Sequence, residues 1–121
     1  MIEYKFIKPE EIKRAIVRIK ARNVEKNELL ALIENLSKCL ESKVLSTTLV
    51  EFPGGDYTIS SILATSHAVL STYTIRDGKW IEIDVGWCSR KELDEKEVKK
   101  KIKKILGGKL FNVEIQEIRS Q

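Results

Sequence analysis

The chain has 121 residues, 42% hydrophobic and 33% charged, with a formal net charge of +4. That length suits one domain spanning 1–121 and is short for two, and the balance excludes a disordered chain. No run approaches the roughly 18 to 20 apolar residues of a membrane span, and the charged opening Met1-Ile2-Glu3-Tyr4 is no signal peptide, so a cytoplasmic protein is expected.

Residues 14–20 mix β-branched and charged residues and predict a first strand. Asn23 is placed to cap a helix running to about Ser42, with Leu29, Leu32, Ile33, Leu36 and Leu40 on one buried face. Cys39 borders that face as a packed thiol. Val44 to Phe52 is a second strand, closed by the turn Pro53-Gly54-Gly55-Asp56. Tyr57 to Ala64 is a third, and the chain continues through Thr65-Ser66-His67 into the extended piece Ala68 to Ile75. Arg76-Asp77-Gly78-Lys79 makes a hairpin in which Asp-Gly supplies positive φ angles, and Trp80 to Trp87 returns. Ser89 and Glu92 form a capping box for a second helix, whose stripe is Val98, Ile102, Ile105 and Leu106 and whose end is Gly107-Gly108. Leu110 to Ile118 is the last strand.

The resulting order is β-α-β-β-β-α-β. Two helices with one-sided hydrophobicity among runs of strands predict the α+β class: a two-layer α/β sandwich, with both helices on one face of an antiparallel sheet. Much of the excess charge lies in Lys99-Lys100-Lys101-Ile102-Lys103-Lys104, where lysines surround an apolar stripe as a solvated helix face would. Cys39 and Cys88 have no metal-ligand spacing and read as free thiols, and no metal site is expected. Trp80 and Trp87 read as packing residues, with stacking on a ligand base as the alternative.

The chemistry-bearing stretch is Thr58 to Cys88. It holds Thr65-Ser66-His67, then Ser71-Thr72-Tyr73, then Asp84, and Cys88 just after a strand. This layout resembles the bacterial and archaeal S-adenosylmethionine decarboxylases, which carry Glu-Ser-His, His-Thr-aromatic, a hairpin and Val-Asp-(hydrophobic)-x-x-Cys. Ser66, His67, Thr72, Tyr73, Asp84 and Cys88 match, the hairpin is about two residues longer, and Phe52-Pro53-Gly54-Gly55 also fits. Residues 1–13 look like an extension or a divergent start.

The resemblance implies a proenzyme that cleaves itself between Thr65 and Ser66 and turns the serine into a pyruvoyl group. That ketone would form a Schiff base with the substrate amine and draw electrons from the carboxylate bond. It implies Cys88 as proton donor, Thr58 as the hydroxyl that assists processing, and His67 and Asp84 on the substrate. It also implies a homodimer with sites near the interface.

Two positions depart from the pattern. The processing base of those proteins is a histidine five residues after the serine, where this chain has Ser71, and Thr65 replaces the glutamate before the serine. His67 is the chain's single histidine, and neighbouring strand residues point to opposite faces, so it is expected to turn away from Ser66. A hydroxyl is no base at neutral pH, and base help is worth ~100- to 10,000-fold. The first functional expectation is therefore an unprocessed relative, acting in place of activity as a regulatory partner of an active paralogue. The alternative is an active pyruvoyl decarboxylase of S-adenosylmethionine or arginine. A basic nucleic-acid-binding domain comes last, because the strands lack an aromatic platform for bases.

Overall fold

The computed structural model describes residues 12–118, so most of the divergent start expected over 1–13 lies outside the described residues. Six strands and two α-helices follow in order: β1 (Lys13–Ala21), α1 (Lys26–Cys39), β2 (Val44–Phe52), β3 (Asp56–Leu63), β4 (Ser66–Ile75), β5 (Gly78–Trp87), α2 (Glu95–Leu106) and β6 (Leu110–Ile118), with a short 3-10 turn at Gly107–Lys109 between the last two. The strands form one sheet in the order β2-β3-β4-β5-β1-β6, with every neighbouring pair antiparallel.

Period-two alternation divides the sheet into a dry face and an open one. Ala15, Val17 and Ile19 of β1, Leu70 of β4 and Ile81, Ile83 and Val85 of β5 are buried under the helices. Leu29, Leu32, Ile33 and Leu36 of α1 and Val98, Ile102 and Leu106 of α2 fill the space above them. The α+β sandwich with both helices over one face is as the sequence predicts. The open face carries Arg14, Arg18, Glu82 and Asp84, together with the exposed apolar side chains Val50, Ile62 and Tyr73. Among the described residues, no helix is long and apolar enough to cross a membrane.

The sheet holds one strand more than the predicted order. The chain does not run straight through Thr65; it folds back at Ala64-Thr65, so that Leu63 pairs with Ser66 and β3 lies beside β4. Nothing at these two positions announces a turn, for neither is Gly, Pro, Asn or Asp. Tertiary contacts hold it instead: Ala64 N donates to Lys43 O at 2.9 Å and Thr65 N to Ser42 Oγ at 3.2 Å.

Both helix starts also differ from expectation. Asn23 lies ahead of α1 with φ 51, a conformation asparagine tolerates, and Glu25 is the N-cap. Glu28 accepts from Glu25 N at 2.9 Å and from Lys109 Nζ at 2.8 Å. At α2 the cap is Asp94, whose carboxylate accepts from Lys96 N at 3.1 Å and Glu97 N at 3.2 Å. Ser89 is engaged elsewhere, donating to Leu40 O at 3.0 Å. Gly107 ends α2 at φ 55, as its place after the apolar stripe predicts. Gly78 serves packing: it is the first residue of β5, and a Cβ there would meet Ala21 O at 2.4 Å.

Candidate active site

The turn between β3 and β4 places the Thr65–Ser66 peptide bond at one end of the sheet. β5 ends alongside it, because Ser66 pairs with Trp87 and His67 with Gly86. Trp87 is buried and its Nε1 donates to Lys91 O at 2.8 Å, which anchors the strand end next to the turn. Cys88 follows directly. It is exposed, and its Sγ–H donates to Thr65 O at 3.0 Å. The carbonyl that precedes Ser66 is therefore polarised by the residue that the family pattern singled out. Thr65 Oγ1 is buried next to this bond without a hydrogen-bond partner among the described residues.

Ser66 Oγ lies 3.0 Å from His67 Nδ1. This corrects the expectation that the two side chains diverge. Ser66 is the first residue of β4, just out of a two-residue turn and paired with Leu63 on one side and Trp87 on the other, and its hydroxyl reaches the neighbouring ring at this strand end. Gly86, opposite His67, leaves its position open: a Cβ there would lie 3.1 Å from His67 Cε1 and 3.4 Å from Ser66 Oγ. An isolated glycine inside a strand signals such a close approach, and Gly86 could have been read that way.

The remaining expected residues lie apart from the turn. Thr58 and Ser71 are register partners with their hydroxyls 3.4 Å apart. Ser71 is five strand residues beyond Ser66, about 17 Å at ~3.4 Å per residue, so within one chain the pair stays away from the bond. Asp84 occupies the open face two residues before Gly86. Its Oδ2 is 2.8 Å from Arg14 Nη2, a partner the sequence did not suggest, while its Oδ1 is buried and unpaired among the described residues. Tyr73 and Trp80, cross-strand partners, share a hollow of about 350 Å³ with Arg18, Ile81, Glu82 and Glu114, farther along the open face.

No family model matches the chain, and no curated protein is matched by its sequence. Among solved structures it is similar to the crystal structure of the adenosylmethionine decarboxylase from Aquifex aeolicus VF5. The TM-score is 0.63, with 17% identity over 89% of this chain and 88% of that one. The likeness is a distant one, of fold.

Proposed function

We propose that the chain is a pyruvoyl-forming decarboxylase of the adenosylmethionine type, which cuts its own backbone between Thr65 and Ser66. The observation that carries this reading is the Cys88 thiol on Thr65 O, with the Ser66 hydroxyl just beyond the same bond. Polarising that carbonyl favours attack by Ser66 Oγ, which exchanges the amide for an ester. Loss of the Ser66 α-proton and departure of the Thr65 carboxylate, followed by uptake of water and release of ammonia, leaves a ketone at position 66.

The surroundings fit such a group. Position 66 stands at an exposed turn, next to a thiol that holds a proton and an imidazole that can hold another. The ketone supplies an electron sink for decarboxylation of an α-amino acid derivative. The Cys88 Sγ–H, placed beside position 66 by its contact with Thr65 O, is suited to protonate the carbon that loses carbon dioxide. Asp84, with one oxygen unpaired on the same face as His67, offers an acceptor for a substrate donor group. The substrate class proposed is S-adenosylmethionine, with arginine as the alternative.

Ser66, His67 and Cys88 are all exposed, so a substrate pocket needs further walls. A second copy laid on the open sheet face would supply them, cover Val50, Ile62 and Tyr73, and bring its own Thr58 and Ser71 towards the turn. A second reading, an intact chain that partners an active paralogue, is favoured by Ser71, which has a hydroxyl and no imidazole beside it.

Intact-mass spectrometry of the purified wild-type chain separates the two. Fragments 1–65 and 66–121, the second lacking its amino terminus, together with carbon dioxide release from carboxyl-labelled S-adenosylmethionine or arginine, are the expected result. A single species of 13.9 kDa that persists through days of incubation would overturn the self-cleaving reading in favour of the intact partner.

A further inference from the structure

We infer that His67 is the base that starts the backbone cleavage, and that Gly86 is the residue that lets it do so. The inference rests on the reading that this chain cuts itself at Thr65–Ser66, and it assigns the step for which Ser71 is chemically unfit.

A serine hydroxyl attacks a carbonyl at a useful rate only when a neighbouring group takes its proton. Hydrogen-bond reach is the first requirement for such a group. His67 Nδ1 meets it at 3.0 Å. The chain has no other imidazole. The carboxylates whose partners are described point elsewhere: Asp84 Oδ2 is held by Arg14 at 2.8 Å, and Asp56 is surrounded by Thr72, Thr74 and Lys79. Ser71 is occupied with Thr58, farther along β4.

The ring has this position because the residue across from it has no side chain. A Cβ on Gly86 would stand 3.1 Å from His67 Cε1, 3.5 Å from Nε2 and 3.4 Å from Ser66 Oγ. A Cβ there crowds the imidazole, which must give by a few tenths of an ångström. The ring is exposed, so it can yield without disturbing the sheet, and the consequence falls on the contact with Ser66.

The step balances with the groups present. It needs the tautomer with the ring proton on Nε2, so that Ser66 Oγ–H donates to Nδ1. As Oγ bonds to the Thr65 carbonyl carbon, its proton passes to Nδ1. Negative charge gathers on Thr65 O, where the Cys88 Sγ–H is already placed at 3.0 Å. Collapse breaks the bond from that carbon to the Ser66 nitrogen, and the imidazolium gives its proton to the departing amine. The amide has become an ester, with no atom gained or lost and no change of oxidation state. His67 ends neutral, as it began.

The test follows cleavage after cell-free synthesis of the full chain, scoring fragments 1–65 and 66–121 by mass. In His67→Gln and His67→Ala the rate is expected to fall ~100-fold or more, the range for loss of a general base. Added imidazole is expected to restore part of the rate to His67→Ala, which a merely structural role for the side chain would not produce. Gly86→Ala supplies a variant in which the histidine is kept and displaced; it is expected to fold with an unchanged circular dichroism spectrum and to cleave at least tenfold more slowly. Wild-type rates in both His67 variants, or in Gly86→Ala, would overturn the assignment while leaving self-cleavage standing. A wild-type chain that never splits would overturn both together.

Discussion

Cys39 and Cys88 carry the same thiol in opposite surroundings. Cys39 is buried against the helices, and that burial, with the Glu97 carboxylate adding to it and Lys101 and Lys91 opposing, pushes its pKa up to about 11. Cys88 stands in solvent at the end of β5. The thiolate is the form that reacts, so iodoacetamide at pH 8 is expected to label the folded chain at Cys88 and to reach Cys39 only after unfolding. Peptide mapping reads this directly, and label at Cys39 in the native protein would contradict the burial. At this scale the sequence carries identity without contact. The family pattern points to Ser66, Asp84 and Cys88, but strand alternation places His67 on the wrong side of Ser66. What reverses that is a strand start and a missing Cβ across the ladder, and the second of these was visible as Gly86. The Arg14 partner of Asp84 comes from 70 residues away, through a strand pairing that local periodicity cannot supply.

Between elements, a polar junction joins the start of β3 to the β4–β5 hairpin. Asp56 accepts from Thr72 Oγ1 at 2.8 Å, from Thr74 N at 3.2 Å and from Lys79 Nζ at 3.0 Å, and Lys79 also reaches Gly55 O. Partial burial works to raise the Asp56 pKa, but the donors from Thr72, Lys79 and Thr74 outweigh it and hold the group at about 2, below its ordinary 3.8. A carboxyl with a lower pKa folded than unfolded adds stability that is complete above the unfolded value and fades as pH falls through the folded one. Asp56→Asn is therefore expected to lower Tm at pH 7, with the gap to wild type closing between about pH 4 and pH 2. A gap independent of pH would mean that the charge is not what joins the hairpins. The same scale shows what periodicity can and cannot give. Leu29, Leu32, Ile33 and Leu36 mark α1 and Val98 and Ile102 mark α2, because a buried helix face must repeat at three and four residues. Caps are less legible, since Ser, Asp and Asn compete for them within a few positions. Asp94→Ala is expected to destabilise by about 1 kcal/mol through loss of the α2 cap, and Glu92→Ala by less than about 0.5 kcal/mol, as is usual for surface changes. Equal losses in the two variants, measured by urea denaturation, would restore the Ser89–Glu92 box.

For the whole molecule, the sheet order decides what a cut at Thr65–Ser66 does. Residues 12–65 supply β1, α1, β2 and β3, and residues 66–118 supply β4, β5, α2 and β6. The two sets interlock: β1 lies between β5 and β6, and β3 stays paired with β4 from Thr58↔Ser71 to Leu63↔Ser66. The helices repeat the arrangement, since Leu29, Leu32 and Leu36 share one apolar core with Val98, Ile102 and Leu106. A break at the turn removes one covalent bond and leaves these ladders and this core in place. Fragments 1–65 and 66–121, co-expressed as separate chains, are therefore expected to co-purify, to elute together on native gel filtration, and to part only in denaturant. Each made alone would expose the strand edges and apolar faces that the other covers, and should aggregate or stay unfolded. Fragments that separate in native buffer would show that this turn is needed to hold the sheet, and that a bond meant to be broken cannot lie there.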